Sequence, residues 1–496
     1  MAEPSKGLPM TAKWDPAKVQ AEVAELQALE ARPFLARAGG YLKRTGPGLL
    51  QSAMTLGAGS AAASVVAGAS FGYKLLWIQP VAMLLGVCMM AALSNVVLTT
   101  QERPYRAFGQ QTSKFLVFLW ALGTIMASVI WHFPQYGLAA GAARDLADLA
   151  DIPCRVAEGQ AGVWGDYTAV GLVVSFGAGL IILLINMAAT WSYGSSAWGI
   201  KLYEWFLRGV IALIILAFGI VVFANVGKIE WLELGKGFIG YYGIPKAEGS
   251  VTLVLGMLGA AVGINMTFLY PYSLLAKGWG PGHKKLARWD LGMSMFLPFV
   301  LVTSFVIMAM TVSGVYDAGN EVVRTGMKPL DAAAALQGVV GKAAGRIIFD
   351  LGLIGMACGA ISAHMVVCGF TMCEMFGLEY TKARFRMFAM VPAIGILGVV
   401  AGLPIWFPIA ASAICFTMLP IAYVLFLIMN NRRSYIGDAV GSGPSRVIFN
   451  TILVIALAVA TIGSAVKIKT GVIDKLLPPA ADAAPAAESG AMPKTS

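Results

Sequence analysis

Residues 47–72 read PGLLQSAMTLGAGSAAASVVAGASFG, an apolar stretch interrupted at its centre by Gly57-Ala58-Gly59-Ser60. A membrane-spanning helix needs about 20 consecutive apolar residues, and this stretch is long enough. Irregular backbone at membrane depth is tolerated where protein or a water-lined space satisfies it, so a glycine-and-hydroxyl run there predicts a broken helix. A second apolar stretch, 250–277, carries Gly263-Ile264-Asn265 at the corresponding depth. Matching breaks in two halves of a chain point to a transporter of inverted repeats, with its binding site near the midplane.

Outward from these two stretches the pattern repeats. Further apolar segments lie at about 74–98, 114–143, 168–190, 201–226, 289–314, 343–374, 385–403, 405–430 and 445–467, which gives eleven expected spans. The repeats would occupy about 46–226 and 250–430, with an extra helix at 445–467. Together they form a transmembrane domain over 46–476. Residues 1–45 are polar and form an N-terminal segment, with a surface helix expected over Asp15–Ala31 and no apolar signal sequence. The Ala/Pro-rich tail 477–496 is expected to be disordered.

Composition agrees with this layout. Of 496 residues, 58% are hydrophobic and 12% charged, with a mean hydropathy of +0.74. Soluble chains carry about twice that share of charge, so a soluble enzyme and a nucleic-acid binder are disfavoured. The net charge of +10 has a topological reading. Arg103, Arg106 and Lys114, then Lys277, Lys284, Lys285 and Arg288, then Lys382, Arg384 and Arg386, then Arg432 and Arg433 fall between alternate pairs of spans. Excess Lys and Arg mark cytoplasmic loops. The N-terminus is therefore expected in the cytoplasm and the C-terminus outside, in an inner or plasma membrane. The acidic loop 144–167 would face out. Cys88, Cys154, Cys358, Cys368, Cys373 and Cys415 show no metal-binding spacing, and neither a disulfide nor a zinc site is expected.

Gly46-Pro47-Gly48, followed by LGAGSAAASVVAGASFGYKLLW from Leu56 to Trp77, resembles the Nramp divalent-metal transporters. The corresponding stretch of that family opens L-D-P-G-N and closes A-G-A-x-x-G-Y-x-L-L-W. Lys201-Leu202-Tyr203-Glu204, Gly259-Ala260-Ala261-Val262, Gly369 to Phe376 with Glu374, and Leu419-Pro420 are similar to later helices of the family. The resemblance implies an all-α polytopic membrane protein of LeuT type, a 5+5 inverted repeat with eleven transmembrane helices of which the first and sixth are interrupted.

The family's ligand chemistry does not carry over. Its first-helix Asp and Asn correspond to Gly57 and Ser60, and its sixth-helix M-P-H corresponds to Gly263, Ile264 and Asn265. A later sixth-helix histidine corresponds to Tyr270, and a tenth-helix glutamine to Ser412. The third-helix D-L-A-E-V reads His132-Phe133-Pro134-Gln135-Tyr136. A bare dication in a low-dielectric site needs anionic or several oxygen ligands, and softer metals prefer imidazole or thioether. The neutral set Gly57, Ser60, His132, Gln135, Gly263, Asn265, Tyr270 and Ser412 is therefore read as lining a site for a neutral polar organic solute. A sugar stands ahead of an amino-acid-like molecule. Glu204 is expected as a salt-bridge partner in an inner gate or as a cap on its helix, His364 in a structural role beside the site, and His283 in solvent. No catalytic role, cofactor, bound metal or nucleic-acid partner is expected; the partners are the solute and the lipid bilayer. Without a midplane carboxylate, transport is expected to be uncoupled and facilitated. A divalent-cation carrier is the alternative that the family resemblance implies, and a transport-inactive sensor or scaffold is the third reading.

Overall fold

A computed structural model describes residues 16–157, 160–193, 197–324, 327, 343–400, 415 and 417–469. Among them the chain is helical nearly throughout. Helices α1 (Pro16–Glu30) and α2 (Phe34–Leu42) precede the bundle. The first span is a pair, α3 (Pro47–Thr55) and α4 (Ala58–Phe71), bent by 50°. Then follow α5 (Ile78–Thr100), α6 (Pro104–Gln111), α7 (Lys114–Leu149), α8 (Ala169–Tyr193), α9 (Ala197–Ala224) and α10 (Trp231–Phe238). The second half opens with α11 (Ser250–Ala261) and α12 (Ile264–Ala276). It continues through α13 (Lys284–Asp290), a π-helical turn at Leu291–Phe296, α14 (Leu297–Val312), α15 (Ala344–Met375) and α16 (Lys382–Ala389). Helices α17 (Leu419–Asn431) and α18 (Gly443–Ile468) end the described chain.

Among the described residues, eight helices are long and apolar enough to cross a membrane, and the bent pair makes a ninth. The stretches expected as the ninth and tenth spans contain a 3-10 helix at Val391–Val399 and the 13-residue α17; residues 401–414 between them lie outside the described part. Proline and glycine explain the irregular ninth element, since VPAIGILGV offers Pro392, Gly395 and Gly398 within three turns,. The tail 477–496 also lies outside the described residues, as do residues 1–15.

Both breaks fall where a glycine is available, one position earlier than the sequence implies. Leu56 (φ −84°, ψ 59°) and Gly57 (φ −118°, ψ −169°) leave helical geometry, and Ala58 re-enters it. Val262 (φ −145°, ψ 119°) and Gly263 (φ −101°, ψ 161°) do the same before α12. Gly59, Ser60, Ile264 and Asn265 thus belong to the helices after the breaks. Around them, α7 and α15 form the most extensive helix pair of the bundle, and α15 is buried along most of its length. Helices α8 and α18 are peripheral and turn apolar side chains such as Val173, Leu184, Val447 and Ile462 outward. Such bare apolar faces are suited to hydrocarbon, not water.

Every residue of α3 is buried, so its first amides need partners from elsewhere in the chain. Asp290 supplies them: its carboxylate accepts from Gly46 N at 3.2 Å and Gly48 N at 2.6 Å. Helix α1 rests on the same end of the molecule, with Leu26 and Leu29 buried and ion pairs from Glu25 to Arg44 and Glu30 to Lys285. His283 is not in solvent. It is buried, stacked on Trp279 and 3.8 Å from Glu22, because α1 covers the loop that the sequence leaves bare.

Candidate functional site

The two breaks meet around a small cavity. It is lined by Met54, Thr55, Gly57, Gly59 and Ser60 from the first span, and by Gly259, Ala260, Gly263, Asn265 and Met266 from the sixth. Trp131 and Gln135 of α7 and His364 of α15 close it. Its volume is about 20 Å³, close to what one ordered water requires. Helices α3 and α11 both end here, bringing the partial negative charge and unpaired carbonyls of helix C-termini.

Gly57 and Gly59 are there because nothing larger fits. A Cβ on Gly57 would lie 2.6 Å from Gln135 Nε2 and 3.0 Å from the Ala360 Cβ; one on Gly59 would lie 2.3 Å from the Trp131 ring. The close approach lets Gln135 Oε1 accept from Ala58 N at 2.9 Å, so Gln135 caps α4 across the break. Ser60 Oγ donates to its own Gly57 carbonyl at 3.0 Å. Asn265 is fixed by its Oδ1, which accepts from Met266 N at 3.0 Å, while its buried Nδ2 has no hydrogen-bond partner. An unpaired buried donor costs roughly 1–3 kcal/mol.

Of the residues singled out from sequence, Gly57, Ser60, Gln135, Gly263 and Asn265 line the cavity together. His364 joins them, with Nδ1 unpaired. Two do not. His132 is fully buried behind the lining; its Nδ1 bonds the Ser128 carbonyl at 2.8 Å and its ring stands 5.3 Å from that of His364. Tyr270 lies on the far side of α12 and donates to the Ala287 carbonyl at 3.4 Å. Five residues of helix turn it about 140° from Asn265. Ser412 lies outside the described residues.

Met54, Thr55 and Met266 are liners that sequence reading missed. The family's thioether position holds Gly263, but Met266 lies one turn further on the same face and returns a sulfur to the cavity, where it accepts from Gly263 N at 3.3 Å. The first and sixth spans therefore bring thioethers to the cavity, which the reading of their ligand positions did not foresee, while its imidazole comes from α15. Carboxylates are another matter: no Asp or Glu lines the cavity. Among the described residues no cluster of three or more His, Cys, Asp or Glu side chains could hold a metal ion.

Buried acids lie instead at the two ends of the bundle, with Glu204, Asp290 and Glu374 at the end that carries α1. Glu204 takes Lys277 Nζ on both carboxylate oxygens, at 2.9 and 3.2 Å. That pair ties α9 to the end of α12. Glu374, at the end of α15, accepts from Tyr380 at 2.8 Å and faces Arg103 at 3.6 Å and Arg106 at 3.3 Å. With Asp290 holding α3, these contacts lock both broken helices and their neighbours at one end of the bundle.

Comparison with known proteins agrees with this architecture. The profile of the family described as Nramp, natural resistance-associated macrophage protein-like, matches residues 48–466. A divalent metal cation transporter, MntH of Brucella suis biovar 1 (strain 1330), is 24% identical over 370 residues, covering 70% of this chain and 71% of that one. Among solved structures, an Eremococcus coleocola manganese transporter superposes with a TM-score of 0.64 at 14% identity, over 97% of this chain and 93% of that one. The nucleobase-cation-symport-1 transporter Mhp1 superposes at 0.55 with 13% identity, over 88% of this chain and 95% of its own. MhsT, solved with L-phenylalanine, superposes at 0.51 with 13% identity, over 84% and 98%.

Proposed function

This chain belongs to the Nramp family of membrane transporters, and from that premise we propose that its cargo is a divalent metal cation. The observation that carries the proposal is the cavity, where two broken helices converge on a space of about 20 Å³, enough for a body the size of a water. The neutral solute first expected from the sequence gives way to the alternative, which the family match and the names of the Brucella and Eremococcus relatives support.

The donor set narrows the class. Magnesium and calcium ask for oxygen ligands with carboxylates among them, and no carboxylate lines the space. Met54, Met266 and His364 offer thioethers and imidazole, which suit softer ions. A dication here would lean on these groups and on the carbonyl ends of α3 and α11, and would keep part of its water shell. The groups at the α1 end act as the inner gate, with the N-terminus in the cytoplasm, and alternating access follows rocking of one bundle against the other.

The test is uptake by the purified full chain in liposomes, with cadmium, manganese and magnesium as separate cargoes. Saturable cadmium and manganese uptake, with magnesium weaker, is expected. No dication flux above empty liposomes would overturn the proposal. One observation favours a second reading, a small neutral polar solute: Asn265 Nδ2 is a donor without an acceptor, and a donor does not attract a cation. A rise in melting temperature with a sugar or amino acid, alongside absent dication flux, would install that reading, since a ligand of the native state alone stabilises it. Absence of both would favour the transport-inactive protein.

A further inference from the structure

At the end of the bundle opposite α1, α7 and α15 bring two acids and one base together under cover. Arg346 holds Asp145 in a two-pronged ion pair, with Nε at 2.9 Å from Oδ2 and Nη2 on Oδ1. Asp350, one turn along α15 from Arg346, is in side-chain contact with Asp145. Both acids are about 1–2% exposed. Asp350 Oδ2 is buried and has no hydrogen-bond donor.

The charges do not balance. Two carboxylates face one guanidinium, and like charges in contact inside a low-dielectric interior repel strongly. The neighbours do not supply the missing cation. Arg144, the adjacent residue of α7, is turned away onto Ser175, the Val399 carbonyl and the Tyr167 ring, 4.2 Å from its centroid. Asp148, on the same helix, adds negative charge. From α9, Phe218 packs on Phe349 beside Asp350, and that contact is apolar. A metal ion would need more oxygens than two carboxylates already shared with Arg346 provide. A proton needs one acceptor on each side, which is the arrangement present.

We propose that Asp145, Asp350 and Arg346 form a proton-binding site, in which the two carboxyls share one proton beside the guanidinium. A buried carboxyl pair is suited to holding and passing on a proton. Its place on α7 and α15, the helices that also carry Gln135 and His364, makes it a coupling site at a distance from the cargo. The site departs from the uncoupled transport that the sequence implies, and it does not depend on which cargo is carried.

Infrared spectroscopy of the full chain in lipid, without any cargo, tests it. A protonated-carboxyl C=O band that shifts in D₂O is expected at neutral pH. Asp350→Asn and Asp145→Asn should each remove that band, and Asp350→Glu should keep it at a displaced frequency. Should an Asn variant fail to fold, the Glu variant carries the test. A band absent from the parent protein, or unchanged in all three variants, would overturn the proposal. Sodium added in place of acid should leave the band untouched; its loss on adding sodium would reassign the site to a metal ion. Because no cargo is present, the cation reading of the central cavity can fail while this one stands.

Discussion

Where the two breaks meet, the chain presents amides, thioethers, an imidazole and carbonyls; at the end that carries α1 it buries Glu204, Asp290 and Glu374. The central space is neutral, while each of the three acids of the gate has an ion-pair or hydrogen-bond partner. A charge fixed in the cavity would bind cargo tightly and oppose its release. A charge fixed in the gate does its work when the gate is shut and can be rehydrated when it opens. The difference assigns stability to the end and selectivity to the centre, and each assignment can be broken by substitution.

The largest effect is expected at the gate. Lys277→Met strands Glu204, whose side chain is 7% exposed, and should destabilise the protein by about 3–5 kcal/mol. Thermal unfolding in detergent measures it. Adding Glu204→Gln should restore most of the loss; if it does not, the pair is not the contact that matters. Next comes Gly57→Ala, where the new Cβ meets Gln135 Nε2 at 2.6 Å. Overpacking of this kind costs about 1–3 kcal/mol, and transport should fall below detection because the bridge from Gln135 to Ala58 must shift. Wild-type uptake in this variant would show that the break tolerates more space than its neighbours leave.

A smaller change sharpens the view of the centre. Met266→Leu keeps volume and removes the sulfur, so unfolding should move little while cadmium affinity drops about tenfold, or about 1.4 kcal/mol. Equal affinity would mean that the thioether packs and does not bind. The smallest effect belongs to α1. His283, whose Nε2 faces it at 3.8 Å, holds the Glu22 carboxyl below its usual value of 4.5. A depressed acid stabilises the docked state above its unfolded pKa and loses that contribution as pH falls through the folded one. Labelling of a Leu26→Cys variant should therefore rise below about pH 4.5, by an amount corresponding to about 0.5 kcal/mol for a partly exposed pair. Labelling that does not change with pH would leave Leu26 and the other apolar contacts as what holds α1.

The spans and the paired breaks were legible because hydrocarbon enforces a simple code: long apolar runs, and glycine or polar groups where a helix is cut. Gly57, Ser60, Gln135, Gly263 and Asn265 stand out by that code. Met54 and Met266 do not, since a methionine in an apolar span carries no mark separating a ligand from packing. His132 and Tyr270 were misplaced for a geometric reason. Proximity in sequence to a lining residue does not fix rotation about the helix, and the histidine turns towards His364 while the tyrosine turns towards Ala287. The burial of His283 needed α1 in place, which no local pattern near residue 283 conveys. The pairing of Asp145 with Arg346 joins residues 201 positions apart, and a single sequence holds no trace of it.

The Asp290 carboxylate on Gly46 and Gly48 spans 244 and 242 residues of chain. During synthesis, the first helix therefore emerges with its leading amides open, and they stay open until the seventh span has been made. The first half must wait in the membrane for the second. Its order of assembly is written into one side chain, so a ribosome stalled before residue 290 would leave a half-transporter whose opening helix has no cap. Supplying the second half as a separate polypeptide should close that helix in trans.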